Sequence, residues 1–392
     1  MTTPVTGDFQ MAEKLSLALS GHTTLPDLVQ LNYTELSQFA STGVLENLDS
    51  FFPASLESNL YAGATAISKY GSTHYAFPHQ VNGKLFYYRA DMFEEAGIDA
   101  ESIQTVEQLI DAGKKFTQKF PDQYILNVNT QPPEYLFGEV ISAFSPVEFV
   151  NHHGDWDIVS NPAFRKTFEF LREIKTSGIA YPVDDFTAAW PEAIKKGKIC
   201  GFLTADWMKD FLPGYAPPSS SGKWKAILWP KLEPSLADQR YGSDAGGSIN
   251  VVFQDAPNKD LALAISEKVA LDEKGSMAFF GANGTIPMLK SVKSDVVGSF
   301  KKQSKPSGMS ETAWSQLPQN FLGAEYYDKE FECYDFVKIF GYDPGAIKEW
   351  GTILEEWLDK SMAGTLAPTD ALSGMQKAMK SQIGNPYSSN QS

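Results

Sequence analysis

The chain has 392 residues, of which 42% are hydrophobic and 13% aromatic, so it is an ordinary globular composition spread over more chain than one core usually supports. Its formal net charge is −15, from 48 acidic against 33 basic side chains. That balance argues against nucleic acid or an anionic membrane as partner, because both select a basic footprint. It is compatible with an exported soluble protein or with a binder of cations.

The two cysteines, Cys200 and Cys333, are too few and too far apart for a disulfide framework or a metal-binding pair. Cys200 sits in an apolar run and reads as a small core residue. The doublet His152-His153 lies in a polar turn with no ligand spacing around it, so no metal is expected. No transmembrane run and no signal peptide are legible.

In chain order, apolar spacing predicts a helix over 9–20, then a buried strand over 26–31. Asn32-Tyr33-Thr34 follows it, with Thr34 expected to cap a helix that reaches Ser41. A helix is expected over 56–70. Strands are expected over 75–78 and 84–89, joined by the polar link 79–83. Thr105 and Gln108 form the capping-box pattern ahead of a helix that runs to about residue 120. A strand over 124–128 and a helix opened by Pro132-Pro133-Glu134-Tyr135 come next. A short strand over 156–159, an amphipathic helix over 162–177 and a helix over 185–196 follow. Residues 197–207 read as a strand that ends on Asp206-Trp207. After a Pro/Ser loop and a strand over 224–229, the glycine-dense stretch 242–248 leads into a β-branched strand over 249–253. Helices over 258–272, 345–362 and 369–383 complete the chain. Alternating strands and helices indicate α/β layers.

The sequence contains no phosphate-cradling loop. Gly246-Gly247 lacks the Walker lysine and precedes a strand, whereas a dinucleotide fingerprint opens a helix. No serine sits in a nucleophile elbow. No catalytic residue and no cofactor are therefore expected. A glycoside-hydrolase alternative would have to draw its carboxylate pair from Glu134, Asp206 and Asp244. A binder offers a different reading of the same residues. Trp207, with Asp206 beside it and Trp190 one helix earlier, combines flat apolar faces with an acceptor, which is what a sugar ring requires. Trp190 is expected to be exposed. Asn32 and Tyr33 either cap a helix or face a ligand. Gln80 and Asn82 are polar where an extended link needs no polarity. Gly246 and Gly247 indicate tight backbone geometry, which is also compatible with a hinge. Trp350 shares a helical stripe with Ile353 and Trp357, so core and ligand contact are both open.

Several segments, in this order, resemble the extracellular solute-binding proteins that serve carbohydrate uptake by ABC transporters, the family of maltose-binding protein. They are Leu17-Ala-Leu-Ser-Gly21 with Leu25-Pro-Asp-Leu-Val-Gln-Leu31, Tyr75-Ala-Phe-Pro78, Leu85-Phe-Tyr-Tyr-Arg89 through Gly97, and Thr105-Val-Glu-Gln-Leu109. Ala188-Ala-Trp190, Gly197-Lys-Ile-Cys-Gly-Phe202, Asp206-Trp207, Gly246-Gly-Ser248 and Asn258-Lys-Asp-Leu-Ala262 continue the series, which closes with residues 364–377. The resemblance implies a two-lobed, class II periplasmic-binding-protein-like α/β fold. Lobe one would comprise 1–78 and 249–300, lobe two 84–241 and 301–392, with hinges at 79–83 and 242–248. It implies an oligosaccharide held in an interlobe cleft and delivered to the permease subunits of an ABC transporter by a monomeric protein that is not an enzyme. Its location would be extracytoplasmic, as a periplasmic protein or a cell-surface lipoprotein. By position, the ligand contacts would fall at Asn32, Tyr33, Gln80, Asn82, Glu134, Tyr135, Trp190, Asp206, Trp207, Asp244, Gly246, Gly247 and Trp350. The family's strand–helix–strand ahead of the segment matching Phe9 has no counterpart here, so lobe one is expected to lack it. The same fold binding a cationic solute such as a polyamine is the further alternative.

Overall fold

Among the described residues, ten short strands frame the protein: β1 (Leu28–Asn32), β2 (Lys69–Tyr70), β3 (Thr73–His74), β4 (Phe77–Gln80), β5 (Lys84–Arg89), β6 (Leu126–Val128), β7 (Ala180–Pro182), β8 (Gly201–Ala205), β9 (Trp224–Leu228) and β10 (Ser248–Val252). The structure is a computed structural model and describes residues 10–129, 134–144, 155–232, 247–337 and 347–384. The described residues fall into two units. The first holds 10–82 and 247–299, and the second holds the remainder, so the chain passes from one to the other between Asn82 and Gly83 and between Ser299 and Phe300.

In the first unit, β10 lies between β1 and β4, antiparallel to both. Ile249, Val251 and Val252 are fully buried, which is why this strand reads as a continuous β-branched run. The helix expected over 56–70 is broken into Ala54–Asn59 and Ala62–Ile67, followed by the β2–β3 hairpin. The cause is tertiary. Leu60 and Tyr61 are extended, Leu60 bridges Leu289, and the Tyr61 amide donates to the carbonyl of Met288. Those partners lie 229 and 227 residues away in sequence, and the pairing outweighs local helix propensity. Thr34 is not the cap. Asn32 takes that place, accepting from the Thr34 amide at 3.1 Å while Glu35 accepts from the Asn32 amide at 3.1 Å.

In the second unit, β5 is central, with β8 and β9 antiparallel on its two sides, while β6 and β7 pair in parallel. Leu85, Phe86 and Tyr87 are buried on both faces of β5, each worth about 2 kcal/mol of transfer free energy. Gly201 is required where β8 passes the chain beside it. A Cβ there would lie 2.5 Å from the Ile125 carbonyl and 2.8 Å from that of Tyr87. The Thr105–Gln108 capping box forms as expected and opens the helix Val106–Lys119. The helix Pro162–Thr176 is capped by Asn161 and buries Phe164, Phe168, Leu171 and Ile174, one per turn of a single face. No strand forms over 156–159. The amides of Ile158 and Val159 donate instead to the Gln376 side chain, at 2.9 and 3.0 Å. The helix expected over 185–196 starts later, at Ala189, because Phe186 has φ +60 and cannot be helical.

Candidate functional site: a polar sheet end and an aromatic face

Four of the residues singled out in the first unit meet at one end of its sheet. Asn32 pairs with Ser248 across β1 and β10, and Ser248 pairs with Gln80 across β10 and β4, so the three stand in one row. Tyr33 comes next, its amide donating to the Gly247 carbonyl at 3.0 Å. The reason for glycine is steric. A Cβ on Gly247 would lie 3.0 Å from the Tyr33 ring and 3.1 Å from the Gln80 carbonyl, a tight fit that a bare backbone avoids. Asn32 thus caps the turn that follows β1, one of the two roles the sequence left open, and also stands in the polar row. Asn82 is buried two residues beyond the end of β4.

In the second unit, Trp207 and Trp190 part company. The expected exposure of Trp190 is wrong, since only 2% of it is accessible. Its indole stands edge-on to Phe202 of β8 (6.1 Å between ring centres, 86°) and to Tyr215 (5.6 Å, 70°). The helix Ala189–Lys195 lays it into the core, so neither face is open to a ligand. Trp207 is half-buried in the turn between β8 and the helix Met208–Tyr215. It has two aromatic neighbours that the sequence reading missed. The Phe186 ring is 5.6 Å away at 39°, and the Phe211 ring 5.7 Å away at 88°. Both are among the exposed large apolar side chains, Phe186 at 67% and Phe211 at 45%. Phe211 carried a legible signal, being four residues from Trp207 on one helix face. Phe186 carried none, because its placement depends on a loop.

That loop is held by β6. Asn127 donates to the Val183 carbonyl at 3.3 Å and to the Asp185 carboxylate at 2.6 Å. Asn129 accepts from the Asp185 amide at 2.7 Å and donates to its carboxylate at 3.4 Å. Nearby, Lys84 and Glu139 form a fully buried ion pair, with the Lys84 ammonium 4.5 Å from the centre of the Trp229 ring. Burial pushes the Lys84 ammonium down and the Glu139 carboxyl up, and each is opposed by the charge of the other.

Asp206 does not face a ligand. It is 0% exposed, and the expectation that its carboxylate accepts from a sugar hydroxyl is corrected. Its amide donates to the Gly83 carbonyl at 2.9 Å, and Tyr326 donates to its carbonyl at 3.3 Å. The Tyr334 hydroxyl contacts both an Asp206 oxygen and, at 2.9 Å, Glu330, which also accepts from Lys209 at 3.0 Å. One phenolic proton can serve only one of two carboxylates, so the second hydrogen bond calls for a proton on one of them, and Glu330, which accepts from Lys209, is the one better kept ionised. The consistent arrangement is Asp206 donating to Tyr334, Tyr334 donating to Glu330, and Lys209 neutralising Glu330. Burial accordingly drives the Asp206 carboxyl well above its usual range, against the attraction of Lys209. Burial also works against the Lys209 ammonium, but the carboxylates beside it, Glu330 foremost, hold it above its ordinary value.

The remaining expected site residues are beyond side-chain description. Glu134 and Tyr135 open the helix Glu134–Ile141, and Trp350 lies in the first turn of the helix Ile347–Met362. Asp244 and Gly246 lie outside the described residues. Among the described residues, no cluster of three or more His, Cys, Asp or Glu side chains is placed to hold a metal ion.

Known proteins similar to this chain are solute binders. The lactose-binding protein of Rhizobium radiobacter is 25% identical over 271 residues, 65% of this chain, and the match spans 60% of that protein's own length. A structure of an ABC transporter associated binding protein from B. animalis subsp. lactis Bl-04, in complex with β-1,6-galactobiose, superposes with a TM-score of 0.71 at 21% identity, covering 97% of this chain and 91% of that one. The sugar-binding protein MalE of Xanthomonas citri does so with a TM-score of 0.73 at 19% identity, covering 94% and 86%. These two likenesses establish the two-lobed periplasmic-binding-protein fold. The family pattern itself matches residues 3–306, and the chain therefore belongs to the bacterial extracellular solute-binding proteins.

Proposed function

We propose that this chain is the capture component of an ABC transporter and takes up a neutral oligosaccharide without transforming it. The observation that carries the reading is the aromatic face around Trp207 in a chain of a solute-binding family. A saccharide presents C–H-lined ring faces that stack on such side chains, and hydroxyls that need paired donors and acceptors. Asn32, Tyr33, Gln80 and Asn82 supply polar groups of that kind, with the Gly247 backbone beside them. By resemblance, Glu134, Tyr135, Asp244, Gly246 and Trp350 join them, and the links 79–83 and 242–248 act as hinges. The relatives named for lactose and for galactobiose support the ligand class. Glycoside hydrolysis through Asp206 loses its basis, because a sealed, un-ionised acid reaches no glycosidic bond. No helix among the described residues is long and apolar enough to cross a membrane. The protein acts outside the cytoplasm as a monomer and hands its ligand to permease subunits.

Calorimetric titration with galacto-, malto- and arabino-oligosaccharides, beside putrescine and spermidine, tests the reading. It expects saturable heat with at least one neutral oligosaccharide, little changed by salt, and an intact sugar on chromatography afterwards. Binding confined to the amines and weakened by salt, or release of shorter sugars, would replace it.

A further inference from the structure

We infer that Phe186 is a ligand-stacking residue whose unfavourable backbone conformation is maintained to present its ring beside Trp207. The inference rests on the carbohydrate reading above and adds to it a residue and a physical device. Among the described residues, three that are not glycine have positive φ: His22, Asp122 and Phe186. His22 and Asp122 are short polar types in turns just after helices, where the left-handed region is tolerated. Phenylalanine has no such dispensation. At φ +60 its Cβ crowds the following carbonyl, and a bulky side chain there is an outlier that persists only when its surroundings over-determine it.

The surroundings do so. Asn127 and Asn129 fix Val183 and Asp185 through the four hydrogen bonds described above. On the other side, the Thr187 hydroxyl donates to the Asp184 carbonyl at 2.8 Å, two residues before the helix Ala189–Lys195 begins. The strain is not offset by burial of the ring, two-thirds of which is exposed. A polar residue or glycine would adopt the same backbone at less cost, with no apolar surface shown to water.

What the conformation achieves is placement. Phe186 touches Trp190 at 5.5 Å and 60° and Trp207 at 5.6 Å and 39°, so neither indole lies flat against it. Together with Phe211, which stands edge-on to Trp207, this makes an aromatic cluster in the second unit. An uncharged saccharide with an apolar ring face is the occupant that suits it. A cation over the ring faces and a second copy of this chain are the alternatives the test must separate.

The experiment uses the full chain with Phe186→Gly, Phe186→Asn and Phe186→Leu, the first two relieving the backbone and the third keeping apolar bulk without a flat face. Calorimetry with the best oligosaccharide, thermal melting and sedimentation are read for each. Expected is a loss of affinity of about tenfold or more in all three, the worth of one aromatic stack with its buried area. The Gly and Asn variants should melt no lower than wild type, and all should sediment as wild type does. Wild-type binding that Gly, Asn or Leu leaves unchanged overturns the inference while sparing the carbohydrate reading. Loss of a dimer in the variants, or binding of amines alone, also overturns it. Absence of sugar binding by wild type overturns both.

Discussion

Replacing Asp206 with Asn tests the proton assignment in the second unit directly. Asparagine has nearly the shape of a carboxylic acid, and its amide can donate to Tyr334 as the protonated carboxyl does, leaving Tyr334 free to donate to Glu330. Asp206 is enclosed by Lys209 and Asp210 from its own helix side, by Tyr326, Glu330, Cys333 and Tyr334 from the helix Tyr326–Tyr334, and by Tyr87 from β5. Its carboxyl titrates near 3.8 when unfolded and well above that in the fold. The folded protein therefore holds a proton that the unfolded chain has released, so stability is greatest below the unfolded value and is lost as pH rises toward the folded one. The slope is that of one proton, about 1.4 kcal/mol for each pH unit over which the fold retains it. Comparing wild type with Asp206→Asn cancels the other titrations. The variant should match wild type in acid and gain on it steadily with pH, by about 3 kcal/mol over two units. Urea unfolding followed by tryptophan fluorescence, repeated from pH 4.5 to 8, measures the gap. A gap that is constant with pH, or that favours wild type more as pH rises, would show Asp206 ionised in the fold and refute the assignment.

Trp207→Ala should weaken sugar binding by about 2 kcal/mol, roughly thirtyfold, with circular dichroism unchanged, because the indole is only half-buried. Trp190→Ala should instead destabilise the second unit by about 3–5 kcal/mol in chemical unfolding, as a cavity in an aromatic core does. Gly201→Ala sets a Cβ against two backbone carbonyls and should lower the melting temperature far more than Gly247→Ala, whose neighbours need yield only a few tenths of an ångström. Lys84→Met alone should cost about 3–5 kcal/mol by leaving Glu139 buried without its partner, and adding Glu139→Leu should recover most of that loss.

Much of this protein is written locally. The buried strands β5 and β10, the capping box at Thr105 and Gln108 and the one-faced helix over 162–176 follow from patterns within a few residues of each element, since burial on one face imposes a period on the sequence. The ordered motifs led to the solute-binding family in the same way. The gathering of Asn32, Gln80 and Gly247 at one sheet end was only half legible, because strand ends are visible in sequence but register is not. Three features belonged to tertiary structure alone. Leu60 and Tyr61 leave the helical path because Leu289 and Met288, 229 and 227 residues further along the chain, pair with them. Trp190, expected to be exposed like Trp207, is sealed in the core while Trp207 stays half-buried, because exposure depends on what packs over an element. Asp206, chosen as a ligand acceptor for its place at a strand end, becomes a sealed acid, because burial, with Glu330 brought beside it from 124 residues further along the chain, pushes its carboxyl up. A charge or a ring has no fixed role in a linear sequence, since its dielectric surroundings and its neighbours exist only once the chain has closed around it.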